Sequence, residues 1–527
     1  MTGVKATDPE LTRRSVIGFA GGALAVAATG LNEQAGIAQP RHPPAPAASG
    51  IVMMDAIPLA AAIRARQISC VEVMTAYLDH IDRWNPGVNA IVALQPREAL
   101  LTQAAERDAQ AARGEWLGPL HGFPTAVKDL QAVRGIVSTR GSPIFRNFIP
   151  AADGLMVERL RRAGAVFIGK TNTPEFGLGS HTYNAVYGLT RNPFDPSRSA
   201  GGSSGGAAVA VALRMLPIAD GSDFGGSLRN PAGWNNVLGF RTSLGRVAAG
   251  GDDVWLPGMS VTGPMARNVP DLAFLLSVQA GHDDRAPMSM EGATLDLGGD
   301  LAADMRGKKI GWLGDFNGAT PCEAGVLEVC RSALDVFTSL GCRVEDARID
   351  LPMEPVWQAM VKLRAWQAGG GVLDLYNDPA KRALMKPEAI FEVESGLRLS
   401  AFDIRAASVA RTSWYNAVRQ LFERYDYLVA PSAQLFPFDA RLDWPHDIGG
   451  TAMRTYHEWQ KGNFFITMTG CPALAVPAGF GPRSLPIGIQ IVAPINRERA
   501  CLQLGHAYHQ ASNWTGRRLP PQLAHTI

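Results

Sequence analysis

The chain has 527 residues, enough for one large domain or two smaller ones. Hydrophobic residues make up 46% and charged residues 19%, the balance of a globular protein. The net charge of +2 gives no electrostatic case for nucleic acid or an anionic membrane surface, so neither nucleic-acid binding nor stable membrane association is expected.

In chain order, the first signal is an address. Thr12-Arg13-Arg14-Ser15-Val16-Ile17 precedes an apolar, Gly/Ala-rich stretch running to about Leu31. This is the pattern of a twin-arginine export signal, too short to span a bilayer comfortably. Small residues at Gly36 and Ala38 suit cleavage, and a Pro/Ala linker follows from Pro40 to Ser49. Residues 1–49 are therefore expected to be signal and linker, residues 50–527 a single domain, and the protein an exported, periplasmic one.

Ser69 to Trp84 reads as an amphipathic helix, with Met74, Tyr77, Leu78 and Ile81 at helical spacing and a Ser69–Glu72 capping box. Asn89 to Leu94 reads as a strand, and Arg97 to Arg113 as a helix ending at Gly114. Phe123 to Val127 is a second strand leading to Lys128. Leu155 to Ala163 reads as a helix and Ala165 to Ile168 as a buried strand. This alternation predicts an α/β fold with layers of helix on sheet. Residues 355–460 differ, being rich in tryptophan and alanine with long helical stretches. The chain returns to the core layer after Ala430-Pro431 and ends its sheet with a strand from Ile487 to Val492.

The chemistry-bearing residues sit between these elements. Residues 201–227 hold two glycine-rich turns, Gly202-Ser203-Ser204-Gly205 and Gly225-Gly226-Ser227, separated by the small apolar segment Ala207–Leu216. A serine hydroxyl needs a base to become a nucleophile, and Lys128 at the end of an apolar strand supplies one if burial keeps it neutral. Gly201 to Gly205 also fits the G-x-S-x-G elbow of α/β-hydrolases. That alternative makes Ser203 the nucleophile and needs a histidine, with His282, His446, His457, His506, His509 and His525 available. The pairing of two serine turns with the Lys128 strand argues against it. His121 is read as a packing residue. Asp223 and Arg229, which bracket the second turn, are read as buried polar groups holding the loop. Thr171 to Thr173 and Ser204 are read as hydrogen-bonding support. Six scattered cysteines, Cys70, Cys322, Cys330, Cys342, Cys471 and Cys501, make neither a disulfide scaffold nor a metal pattern, with one late bridge left open.

Together these pieces resemble the amidase signature family of serine hydrolases. The resemblance extends over Gly169-Lys170-Thr171-Asn172-Thr173-Pro174-Glu175-Phe176, Asn192-Pro193-Phe194-Asp195, Gly263-Pro264-Met265-Ala266-Arg267, Cys471 to Pro477 and Leu485 to Gln490. It implies a mixed central β-sheet covered by helices on both faces, with residues 355–460 helping to line a substrate funnel. It implies Ser227 as nucleophile, Ser203 as a bridging serine in a cis peptide, and Lys128 as base and then acid. The backbone N–H groups of Phe224, Gly225, Gly226 and Ser227 are the implied oxyanion hole. No metal or organic cofactor is implied. The implied substrate is a small-molecule amide cleaved through an acyl-enzyme. The alternatives are an amidotransferase component that works on mischarged tRNA and a non-catalytic binding protein on a hydrolase scaffold. Monomer and homodimer both remain open. The sequence departs from the family pattern at Phe224, Asn235-Asn236 and Thr242-Ser243, so no one member's specificity transfers.

Overall fold

The computed structural model describes residues 48–524, apart from Pro257 and residues 291–298. The twin-arginine motif and the apolar stretch after it lie outside the described residues, as does His525. The first predicted helix is α1, Cys70–Val88. Its capping box is formed: Ser69 accepts from the Glu72 N–H, and Glu72 accepts from the Ser69 N–H. Met74, Tyr77, Leu78 and Ile81 are all buried. The helix continues past Trp84 until Asn89, whose φ of 53° closes it. The predicted strand from Asn89 to Leu94 shrinks to β1, Ile91–Val92, because Asn89 is spent on the cap and Ala93 is also left-handed at φ 47°. Helix α2 spans Arg97–Ala112 and α3 spans Leu155–Arg162. Strand β2 is Pro124–Lys128 and β3 is Val166–Thr171.

These strands form a three-stranded sheet in the order β1-β3-β2, with β2 and β3 parallel and Lys128 opposite Thr171. The main sheet holds eight strands: β4 (Ala219–Asp223), β5 (Leu238–Arg241), β6 (Val261–Ala266), β7 (Lys309–Trp312), β8 (Arg343–Asp346), β9 (Tyr427–Pro431), β10 (Ala473–Phe480) and β11 (Pro486–Val492). Their order is β8-β7-β9-β11-β10-β5-β6-β4. The β8–β7 and β7–β9 pairs are parallel and the rest antiparallel, so the sheet is mixed, and helices flank it.

Between the two serine turns runs α4, Gly205–Ala212, buried at every position. Its residues are small because the backbone of the three-stranded sheet lies against it. A Cβ on Gly206 would fall 2.3 Å from the Asn172 nitrogen and 2.6 Å from the Ala90 oxygen. The short helix α5 (Arg229–Trp234) follows the second turn. The segment 355–460 contributes three long helices, α6 (Met353–Gly370), α7 (Pro387–Leu397) and α8 (Ala401–Leu421). Helix α9 (Lys461–Thr469) is buried from Gly462 onward. A second hydrophobic cluster joins α6, α8 and α9 through Trp357, Trp414, Phe464 and Phe465, and Phe224 packs against it. All six cysteines are free thiols, so the late bridge left open by the sequence is not made.

Replacing Ser69 by alanine removes one half of the capping box. Urea unfolding should show a loss of about 1 kcal/mol, with the denaturant slope unchanged.

Candidate active site

The site forms where the three-stranded sheet meets β4. Asp220 on β4 accepts a hydrogen bond from the Lys128 backbone N–H at 3.0 Å. Two residues on, and so on the same strand face, Ser222 reaches the other end of the same lysine. Lys128 Nζ lies 2.7 Å from Ser203 Oγ, 2.9 Å from Ser204 Oγ and 3.0 Å from Ser222 Oγ. It also lies 3.4 Å from the Ser222 carbonyl. Its immediate neighbours are thus hydroxyls and a carbonyl. Burial, opposed by the charges of Asp220 and Asp223, lowers its pKa to about 7. Burial also raises Asp220 to about 6, and its Oδ2 is buried without a hydrogen-bond partner.

A second buried lysine stands beside the first. Lys170 Nζ is 3.8 Å from Asp129 Oδ1 and donates to the Gln131 carbonyl. Burial lowers it to about 8 against the pull of Asp129 and Asp220. Asp129 is held in turn by the Thr139 N–H and hydroxyl.

The peptide bond between Gly202 and Ser203 is cis. Ser203 and Ser227 both line a cavity of about 410 Å³, together with Ser222 and Phe224. The size and concavity are those of a small-molecule site. Among the described residues no histidine lines this cavity, and Ser203 is engaged by Lys128, so the elbow reading finds no base among them.

The Gly225-Gly226-Ser227 turn is shaped from behind. Asp223 accepts from the Gly226 N–H at 2.8 Å and from the Leu228 N–H at 3.2 Å. It accepts twice from Arg229, at 2.9 Å each, and at 3.2 Å from Arg241. Burial alone would raise its pKa, but the two guanidiniums hold it well below the usual carboxylate range. Gly226 sits at φ 112°, and a Cβ there would meet the Asn463 side chain at 2.6 Å. The Asp223–Arg229 reading from sequence is therefore the arrangement found. One part of the implied oxyanion hole changes: the Gly226 N–H is directed at Asp223, not into the cavity. Of the four amides that the resemblance implies, those of Phe224, Gly225 and Ser227 are not taken by Asp223.

Two further expectations are revised. Thr171 and Thr173 have buried hydroxyls without partners, so hydroxyl support does not come from them. Asn172 does that work, donating to Thr190 Oγ1 at 2.9 Å and accepting from Asn184 at 2.7 Å. Ser204, read as a minor support, lies on the lysine itself. Ser222 and Asp220 were missed, since a lone serine or aspartate in a strand has no motif to mark it. His121 is placed as read, its ring nitrogen 2.9 Å from the Arg107 carbonyl. Asn235 and Asn236 bind backbone carbonyls, of Ala200 and Pro231 and of Trp514 and Arg518.

The family profile described as Amidase matches residues 72–502. The chain belongs to this amidase family. An acylamidase of Rhodococcus erythropolis is 33% identical over 472 residues, covering 88% of this chain and 97% of that protein. A glutamyl-tRNA(Gln) amidotransferase subunit of Chloroflexus aurantiacus is 33% identical over 482 residues, covering 87% and 96%. The crystal structure of a bacterial aryl acylamidase of the amidase signature family superimposes with a TM-score of 0.83 at 29% identity, covering 88% of this chain and 98% of that one. The protein is an amide hydrolase of the amidase signature fold.

Arg229→Met leaves the buried Asp223 carboxylate short of two donors. Breaking such a pair costs roughly 3–5 kcal/mol, so urea unfolding should show a loss of that order.

Proposed function

We propose that this amidase is an exported enzyme cleaving a carboxamide, anilide or small peptide-type amide through an acyl-enzyme on Ser227. Ser203 relays the proton and Lys128 is the base. The observation that carries this reading is the Lys128 ammonium site. A buried lysine nitrogen with a pKa near 7 and three hydroxyls around it is available as a neutral amine at neutral pH.

A neutral amine has two N–H donors and one lone pair. The Ser204 hydroxyl donates to the Ser222 carbonyl at 3.3 Å, so its proton is already committed. Of the other two hydroxyls Ser203 is the nearer, at 2.7 Å against 3.0 Å for Ser222, and it is assigned to the lone pair. In the proposed step Lys128 takes the Ser203 proton as Ser203 takes that of Ser227, and Ser227 Oγ attacks the amide carbonyl. Charge developing on the carbonyl oxygen meets the amides of Phe224, Gly225 and Ser227. Lys128, now an ammonium, returns its proton through Ser203 to the leaving nitrogen. Water then hydrolyses the acyl-enzyme by the same relay. Export to the periplasm rests on Arg13-Arg14 and the apolar stretch behind them.

The likeness to the glutamyl-tRNA(Gln) amidotransferase protein favours a second reading, in which the chain acts on a tRNA-borne substrate together with other protein chains. The test separates them. The chain from residue 50 is incubated alone with a panel of primary amides, anilides and peptide amides, and products are read by mass spectrometry. Turnover by the wild type, and none by Ser227→Ala, supports the amidase. Activity that appears only with partner chains supports the amidotransferase. Lys128→Met should lower kcat/KM by several orders of magnitude.

Asp220 tunes the base in this reading. Its negative charge raises the Lys128 pKa. Asp220→Asn keeps an acceptor for the Lys128 N–H but removes the charge, so the acidic limb of kcat/KM should move to lower pH. An unmoved limb would show that the limb does not report Lys128.

A further inference from the structure

Part of the cavity wall is made by α6, and its chemistry is selective. Arg364 on α6 lines the cavity yet is only 5% exposed. Its side chain is pinned: Nε donates to Glu392 at 2.7 Å and Nη2 to the Tyr456 hydroxyl at 3.1 Å. Its guanidinium carbon lies 4.8 Å from the Phe224 ring centroid, with Phe464 and Tyr456 at 5.5 and 5.7 Å. Nη1 is the nitrogen left over for the cavity. One helical turn on, Gln367 also lines the cavity, with its Oε1 accepting from the Met259 N–H. Its amide nitrogen remains as a donor. Arg140, exposed at the protein surface, lines the same cavity. Among the described residues the lining holds these two arginines and no carboxylate.

Glu392 balances Arg364 only from behind. Its Oε1 receives Arg364, Tyr456 and His457 together. The carboxylate thus orients the guanidinium without entering the cavity. Leu130, Phe176, Leu178 and Val372 add apolar surface to the wall. A ligand filling this space meets apolar contacts along its body and fixed N–H donors at the α6 side, where Glu392 offsets the charge of Arg364 from behind.

We infer that Arg364 is a specificity-determining residue and that the enzyme prefers amides carrying a carboxylate on an apolar spacer, the carboxylate lying against Arg364 and Gln367. This rests on the amidase reading above. The guanidinium is pre-ordered by Glu392, Tyr456 and Phe224, so little side-chain entropy is lost when the ligand binds. A carboxylate there gains a charge-assisted hydrogen bond inside a largely dry wall.

The test uses two matched pairs, so that either end of the amide can carry the charge. Glutaryl-4-nitroanilide is compared with hexanoyl-4-nitroanilide. 3-(4-Acetamidophenyl)propanoate is compared with 4-butylacetanilide. In one pair the wild type should favour the carboxylate by on the order of tenfold or more in kcat/KM, carried mainly by KM and weakened by added salt. Arg364→Met combined with Glu392→Gln, which avoids stranding a buried charge, should abolish that preference, with kcat/KM falling by a larger factor for the carboxylate member of the pair than for the neutral one. Arg140→Gln, at an exposed position, should weaken the preference and its salt dependence. Equal or better cleavage of the neutral member in both pairs overturns the inference and leaves the amidase reading standing. So does an unchanged preference in the double variant. Failure to cleave any of the four overturns the inference, and failure on the wider amide panel as well overturns both.

Discussion

Everything at this site depends on keeping one amine out of water. Lys128 is fully buried where the three-stranded sheet meets β4, and its nitrogen is surrounded by oxygens that carry no formal charge. A carboxylate at that nitrogen would fix the ammonium form and end its use as a base. The acidic groups are held back instead. Asp220 is turned to the Lys128 backbone, Asp129 to Lys170, and Asp223 to two arginines. The fold supplies charge balance to the region without supplying a partner to the amine.

The second turn obeys a different constraint. Its backbone has to present N–H groups to one side, and Asp223 arranges this from the other by taking the Gly226 and Leu228 amides. Arg229 then ties the turn to α9 and β11, donating to the Asn463 carbonyl, Thr467 and Gln490. The side chain of Phe224 carries this frame into the second hydrophobic cluster and under Arg364. The turn that carries Ser227 therefore belongs to the core, while α6, in the tryptophan-rich segment, supplies another part of the cavity wall.

Much of this was legible from residue order. Periodicity located α1, α2 and α3, since each buries one regular face, and the apolar run before Lys128 marked β2. The glycine-rich turns announced themselves because close backbone approach demands glycine. What was not legible was whatever depends on two distant strands meeting. Ser222 and Asp220 look ordinary until β4 is set beside β2. Thr171 and Thr173 flank Asn172 in one motif, and only the packing reveals that the amide, not the hydroxyls, makes the bonds. The length of β1 depended on Asn89 and Ala93 turning left-handed, which sequence pattern does not display. Arg364 and Glu392 lie 28 residues apart on different helices, and their pairing needed α6 and α7 in place.

The account stands on Lys128 being a neutral amine near neutral pH, and its protonation can be read directly. The protein would be labelled with lysine carrying 13C at Cε, the Lys128 signal assigned by its loss in Lys128→Arg, and its shift followed from pH 5 to pH 11. A midpoint near 7 is the result expected from the burial of this amine. A midpoint near the ordinary lysine value of about 10.4 would mean an ammonium at working pH, and Lys128 could not be the base.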